Sequence, residues 1–322
     1  MLGGGRNLGL FLTLIGALLL ISIFSPQYLS LDNAMVVALQ VSFIGIASLG
    51  TAFLIISGNI DLSIGSQYAM CAVSAALLAK QLPAPLAWIA GILLGMILGL
   101  LNGLMVWRIS VSPIIVTLGT LTVFRGIALR ITNGFGVRNV PKAFAWVGRE
   151  KFLGLPFPVW SLFVLAAIAH LILQYTKQGR HLFAFGGNRQ AAEAAGINGR
   201  KLVFASFAFN GALVGLSAVL AASRFGTAAP TFGTGFELDV IAAVILGGVA
   251  FTGGEGSIIG VVLAVLLLGV INSGLISTGI DPHYAQVVKG AALVIAVTLD
   301  QLTQEQQERH RKKLALLERS TS

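Results

Sequence analysis

KQGRHLFAFGGNRQAAEAAGINGRK, residues 177–201, is a charged and glycine-punctuated island between apolar segments that are almost free of ionisable side chains. Lys177 and Arg180 lie near its start and Arg200 and Lys201 at its end, a basic bias typical of cytoplasmic loops in membrane proteins. The run Gln190–Ala195 (QAAEAA) is a good helix former, and Gly186, Gly187, Gly196 and Gly199 permit the bends that carry a short helix out and back. Arg189 and Glu193 are four residues apart and share one face. Ala191, Ala192, Ala194 and Ala195 keep the helix narrow enough to enter a groove on another protein. The segment is expected to dock on a partner; an ordinary solvated loop is the alternative reading.

The chain around this island is built for a bilayer. Hydrophobic residues make up 56% of its 322 positions and charged residues only 10%, with a mean hydropathy of +0.89. Helices of about 20 apolar residues cross about 30 Å of hydrocarbon. Ten such segments are expected, at about 8–24, 34–57, 62–79, 86–107, 112–131, 157–175, 202–222, 237–252, 257–277 and 284–300. The third and eighth are short or polar at one end and suit broken or re-entrant helices. Residues 1–302 are therefore expected to form one all-α membrane domain, with 176–201 projecting from it and 303–322 as a charged tail. The stretch Leu8–Phe24 leads into SPQYLS without a cleavage pattern and is kept as the first membrane helix.

The net charge of +9 is a topology signal rather than a nucleic-acid footprint. Placing both termini in the cytoplasm puts Arg6, Arg108, the basic residues of 177–201 and the Arg309–Lys313 cluster on that side. The opposite side then receives the smaller set, Lys80, Arg138, Lys142, Arg149, Lys151 and Arg224. The tail cluster is placed to rest on anionic lipid headgroups. The loop at 131–156 is itself basic and carries several aromatic residues; it is expected against the outer membrane surface or on a partner-binding face.

Two patterns concern packing and symmetry. Gly91, Gly95, Gly99 and Gly103 recur every four residues, and Gly211 and Gly215 repeat the spacing; small residues in such rows let membrane helices approach backbone to backbone. Gly99-Leu100-Leu101-Asn102-Gly103 resembles Gly269-Val270-Ile271-Asn272-Ser273, five segments further on. An odd number of crossings inverts the second copy, so two opposed halves of five segments are expected.

Polar groups within the apolar segments are few. They gather at Asn59, Asp61 and Ser63 in SGNIDLSIGS (57–66), then at Asn102, Thr117 with Thr120, Glu237, Asp239 and Asn272. One reading makes Asn59, Asp61, Ser63, Asn102, Thr117, Glu237, Asp239 and Asn272 a polar route for a small hydroxylated solute. The other makes them caps and packing groups: Asp61 and Ser63 at the start of the third segment, Asp239 in the first turn of the eighth, and the amides between helices. Charges at membrane depth, Arg125 and Lys289 included, need an interior or a partner.

Catalytic chemistry is missing. The chain has one cysteine, Cys71, and four scattered histidines, so no metal-ligand spacing, and no nucleotide-binding lysine loop or nucleophile–base set. FTGGEGS (251–257) has glycines without a lysine and reads as a tight turn. No catalytic residue, metal or cofactor is expected on this chain.

The sequences GNIDLSIGS (58–66), SPIIVTLGTLTVFRGIAL (112–129), GRHLFAFGGNRQAAEAAGI (179–197), GTGFELDVIAAVILGGVAFTGGEGSIIG (233–260) and YAQVVKGAALVIAVTLD (284–300) together resemble the permeases of bacterial ATP-driven importers of the ribose, xylose and autoinducer-2 group. The resemblance implies a multi-pass protein of the bacterial inner membrane. It also implies two permeases, identical or closely related, two cytoplasmic ABC ATPases that bind ATP and magnesium, and an extracytoplasmic sugar-binding protein. Gly186, Gly187, Asn188, Arg189, Ala191, Ala192, Glu193 and Gly196 would couple to the ATPase, while the Asn59–Ser66 and Glu237–Asp239 regions would belong to the transport core. Asn59 stands where the group often has glycine. Ribose or another pentose is the leading solute, with hexoses or autoinducer-2 as alternatives and an ion-coupled transporter or a scaffold as more distant ones.

Overall fold

The computed structural model describes residues 3–109 and 111–278, together with Tyr284, Val287, Gly290 and Ala291. In chain order the first helices are α1 (Gly3–Phe24), α2 (Leu31–Ile56), α3 (Ile64–Leu78), α4 (Ala84–Ile109), α5 (Pro113–Ile131) and α6 (Lys142–Arg149). A two-residue hairpin, β1 (Lys151–Phe152) against β2 (Leu155–Pro156), leads into α7 (Phe157–Tyr175), α8 (Lys177–Gly187) and α9 (Arg189–Ala194). The described chain closes with α10 (Gly199–Phe225), α11 (Phe236–Leu246) and α12 (Ile258–Ser277). Seven of these, α1, α2, α4, α5, α7, α10 and α12, are long and apolar enough to cross a membrane. The tenth expected segment, Lys289 and the charged tail fall outside the described residues, apart from the four isolated positions just named.

The expected third and eighth segments are shorter than a span. Fifteen residues in α3 and 11 in α11 give about 22 and 16 Å at 1.5 Å per residue, less than the hydrocarbon thickness. Their position explains how they are tolerated: α3 packs between α4, α5 and α10, and α11 between α2 and α12, so protein surrounds their ends. Arg6 reaches the C-terminal end of α11, its guanidinium donating to the Ile245 carbonyl at 3.1 Å, where positive charge complements the helix dipole.

The faces of α4 are sorted by size rather than polarity. Leu86, Ile89, Leu93, Ile97, Leu101 and Leu104 are exposed, as expected for a lipid-facing surface. The opposite row, Gly91, Gly95, Gly99 and Gly103, is buried against α10. A Cβ on Gly95 would collide with the Gly211 carbonyl oxygen, and one on Gly99 with that of Phe207. The four-residue spacing thus produces the close backbone approach that the sequence suggested.

The loop at 131–156 folds onto the bundle. The α6 segment packs on the end of α10: Ser223 Oγ donates to the Phe144 carbonyl at 2.6 Å and accepts from the Gly148 amide at 2.9 Å. Trp88 Nε1 of α4 donates to the same Phe144 carbonyl at 3.2 Å. Trp146 and Phe152 remain exposed beside this anchor.

Gly99→Val is expected to lower folded stability by about 3 kcal/mol or more, because the added carbons meet backbone that cannot rotate away. Gly119→Ala, at a position with nothing within 4 Å of the added methyl, should be neutral or slightly stabilising. Thermal unfolding of the two purified variants in one detergent checks the contrast. Equal melting temperatures would reject the α4–α10 contact as a limiting constraint.

Candidate functional site

The polar residues singled out in the sequence separate into distinct environments. Asp61 is fully buried in the turn between α2 and α3, and its carboxylate is saturated. Oδ1 accepts from the Ser63 amide at 2.8 Å and from Ser63 Oγ at 2.6 Å; Oδ2 accepts from Gln67 Nε2 at 2.7 Å and Asn102 Nδ2 at 3.1 Å. Ser63 Oγ in turn accepts from Gln67 Nε2 at 2.7 Å and Asn102 Nδ2 at 2.8 Å. Four accepted hydrogen bonds use the lone pairs of Asp61, leaving none for a passing solute. Asp61, Ser63 and Asn102 thus tie the start of α3 to α4. Ser63 occupies the N-cap position without a side-chain capping bond, so the Ser63 part of the capping expectation is corrected; Asp61 meets the turn instead. Gln67, four residues beyond Ser63 and therefore on its helix face, completes the cluster and was missed because an isolated glutamine carries no motif.

Asn59 lies outside this cluster. Its amide donates to the Ser57 carbonyl at 3.2 Å, and it lines a cavity of about 190 Å³ with Ser112 and Phe251. The left-handed backbone at this turn falls on Gly58, φ +75°, and not on Asn59, so position 59 has no steric need for glycine. Thr117 is buried, with its hydroxyl donated within its own helix to the Pro113 carbonyl at 2.8 Å.

Glu237 and Asp239 both stand in the first turn of α11, as expected of acids near a helix N-terminus, yet they face different surroundings. Glu237 approaches Gly65 of α3, where a Cβ would strike both its carboxylate and the Gly233 carbonyl. Arg125 of α5 lies within electrostatic reach of Glu237 and donates to the Pro230 and Phe232 carbonyls at 2.5 and 2.8 Å, fastening the loop before α11. Asp239 instead lines a cavity of about 220 Å³ with Gln40 of α2 and Asn272 of α12. Gln40 was not anticipated; it is exposed, and only the folded chain brings it beside the other two.

The 177–201 segment forms two helices rather than one. Asn188 ends α8 and caps α9, its Oδ1 accepting from the Ala191 amide at 3.0 Å. Of its glycines, only Gly196, φ +85°, supplies left-handed backbone. Gly186 and Gly187 lie inside α8, so the expectation that they bend the chain is corrected. They permit close approach: a Cβ on Gly186 would collide with the Ile56 carbonyl, and one on Gly254 would lie 2.6 Å from Gly187 Cα. The Gly254 amide also donates to the Ile56 carbonyl at 2.9 Å. FTGGEGS is therefore a turn, with φ of +88° at Gly253 and +77° at Gly254, wedged against the ends of α2 and α8.

The faces of α9 are sharply divided. Arg189 and Glu193 form an ion pair at 3.2 Å, and Ala191, Ala194 and Ala195 are exposed. Ala192 points the other way, buried against Leu54, Phe185, Val203 and Phe207. Its assignment to a partner groove is corrected by this burial. Arg189 also stacks over Trp107, 4.9 Å from the ring centroid, which pins α9 to the end of α4.

Asn102→Leu is expected to cost about 2 kcal/mol by depriving a buried carboxylate of a donor, whereas Asn272→Leu, in an open cavity, should leave stability nearly unchanged. Chemical or thermal unfolding of both variants tests this; the reverse order would remove the structural role assigned to Asn102.

A family model described as "Branched-chain amino acid transport system / permease component" matches residues 33–297. The chain is 35% identical to the ribose import permease protein of Haemophilus influenzae, over 90% of this chain and 91% of that one. It is 37% identical to the ribose import permease protein of Bacillus subtilis over 92% of both, and 32% identical to an autoinducer 2 import system permease protein of Salmonella paratyphi A over 88% of both. No solved structure matches the chain. With its apolar helices and a match that runs through most of its length, the chain belongs to the permease-component family of these transport systems.

Proposed function

We propose that this chain is the membrane-spanning permease of an ABC importer that moves a small sugar, ribose or another pentose, into the cytoplasm by alternating access. The observation that carries this reading is the continuous similarity, at 35–37% identity along about nine tenths of the chain, to ribose permeases. The autoinducer-2 relative, and a D-allose permease of Escherichia coli at 34% identity, keep a furanose derivative or a hexose as the second reading. The family's general description names branched-chain amino acids; the sugar relatives argue for hydroxylated solutes instead.

In this reading both termini face the cytoplasm of a bacterial cell, and ten segments form two opposed halves within residues 1–302. The protein pairs with a second copy or a close relative beneath an extracytoplasmic binding protein. Bond breaking belongs to a separate ATPase, which supplies the ATP and magnesium site. The cavity of Gln40, Asp239 and Asn272 is the favoured polar route, because an amide pair and a carboxylate suit sugar hydroxyls. Asp61, Ser63, Asn102 and Thr117 then support the route through packing, with Asn59 and Glu237 at its margins. The exposed side of α9, with Asn188, Arg189, Ala191, Glu193 and Gly196, receives the ATPase, while Gly186 and Gly187 carry its displacement to the end of α2.

Proteoliposomes holding the permease, the ATPase and the binding protein encoded with it should take up ribose only with ATP, without an imposed ion gradient. Uptake of leucine in preference to every sugar would reject the solute class; uptake that follows an ion gradient without ATP would reject the mechanism. In the same preparation, Ala191→Trp should weaken ATPase attachment roughly tenfold, equivalent to about 1.4 kcal/mol of lost interface, while leaving the permease folded. Normal ATPase binding by that variant would return the exposed face of α9 to an ordinary solvated surface.

A further inference from the structure

We propose that the cavity between α7, α8 and α10 is a site for one anionic phospholipid, which braces the 177–201 segment against the membrane bundle. The cavity measures about 520 Å³ and its wall changes character along its length. Gln178, His181, Asn198 and Lys201 are exposed at one end. Phe53, Leu182 and Ser206 are buried in its wall, where Ile172, Leu202 and Phe209 are half-buried. Lys201 and Phe209 are eight residues apart on one helix, so the cavity runs about 12 Å down the axis of α10. That carries it from the basic end of the bundle into the depth occupied by lipid chains.

An occupant must match both ends. The apolar depth suits an acyl chain and would leave sugar hydroxyls without partners. Two polar groups of the wall are already committed: Ser206 Oγ donates to the Leu202 carbonyl at 2.9 Å, and Asn198 Oδ1 accepts from the Lys201 amide at 3.0 Å. The Lys201 ammonium, by contrast, has no ion-pair partner among the described residues, where the single acid of the segment, Glu193, is held by Arg189. Lys177, Arg180 and Arg200 reinforce the same sign nearby. Basic pockets at this level between membrane helices favour anionic headgroups over zwitterionic ones. A cytoplasmic protein could cover the mouth but would have to thread a side chain about 12 Å along α10 to fill the depth.

The site rests on membrane insertion and not on the identity of the transported solute. Native mass spectrometry of the full-length permease, purified in detergent and offered phosphatidylglycerol and phosphatidylcholine with matched acyl chains, tests it. One phosphatidylglycerol should be retained preferentially. Lys201→Gln should reduce that preference about fivefold, the factor corresponding to one basic residue near the surface. Ala205→Trp places a ring in the cavity from an exposed wall position and should abolish retention of either lipid; Ala205→Leu provides a milder filling variant, and thermal unfolding checks that each stays folded. Absence of a headgroup preference in the wild type, an unchanged preference in Lys201→Gln, or full retention in folded Ala205→Trp and Ala205→Leu would each overturn the proposal. Displacement of the lipid by added ATPase subunit would also overturn it and assign the cavity to protein docking.

Discussion

Gly95 and Gly99 of α4 approach Gly211 and the Phe207 carbonyl of α10 so closely that neither helix has room for a Cβ. Inside a bilayer, lipid is as apolar as leucine, so helices associate through packing and polar contacts rather than by escaping water. Backbone contact on a long seam answers that requirement and makes α10 the axis of the molecule. From this axis, Ser217 Oγ donates to the Phe43 carbonyl at 2.6 Å, and Asn210 Oδ1 accepts from Thr51 Oγ1 at 3.0 Å, drawing in α2. The C-terminal end of the same helix holds α6 through Ser223. Short helices can then survive, because their ends meet protein before they meet lipid.

The polar groups of the bundle have separate tasks within this frame. Asp61 and Ser63 accept every hydrogen bond that the Gln67 and Asn102 amide nitrogens donate in a joint between α2, α3 and α4, while Gln67 Oε1 and Asn102 Oδ1 stay buried without a partner. The saturated Asp61 carboxylate resists intrusion, because any solute that bonded to it would have to displace an existing donor. Gln40, Asp239 and Asn272 surround open space instead, and Arg125 secures the approach to α11. Two asparagines that look equivalent in the linear chain, Asn102 and Asn272, therefore have different neighbours: one serves a joint and the other faces a cavity.

Much of the helical layout was legible because span length and apolarity are local properties. The glycine row of α4 and the acids beginning α11 were legible for the same reason. Polar clustering was not, since Gln67 and Gln40 acquire meaning only through chain segments that fold beside them. The 177–201 island shows the limit most clearly. Its amphipathic character and charge could be read, but the five consecutive alanine and glutamate positions at 191–195 gave no sign of which would face inward. Burial of Ala192 depends on Leu54, Val203 and Phe207, supplied by two distant helices. Likewise, glycines that looked like hinges at 186 and 187 are helical, and at Gly186 the Ile56 carbonyl and the Gly254 amide leave no space for a side chain.

That meeting of Gly58, Gly186 and Gly254 contains almost no side-chain material. Rotamers cannot cushion a displacement there, so movement of α8 reaches the peptide planes ending α2 and the connection between α11 and α12 with little slack. The exposed alanine surface of α9 is decoupled from this joint in composition, though attached to it in space. Substitution of Ala191, Ala194 or Ala195 on that surface therefore leaves the backbone contact behind it unchanged.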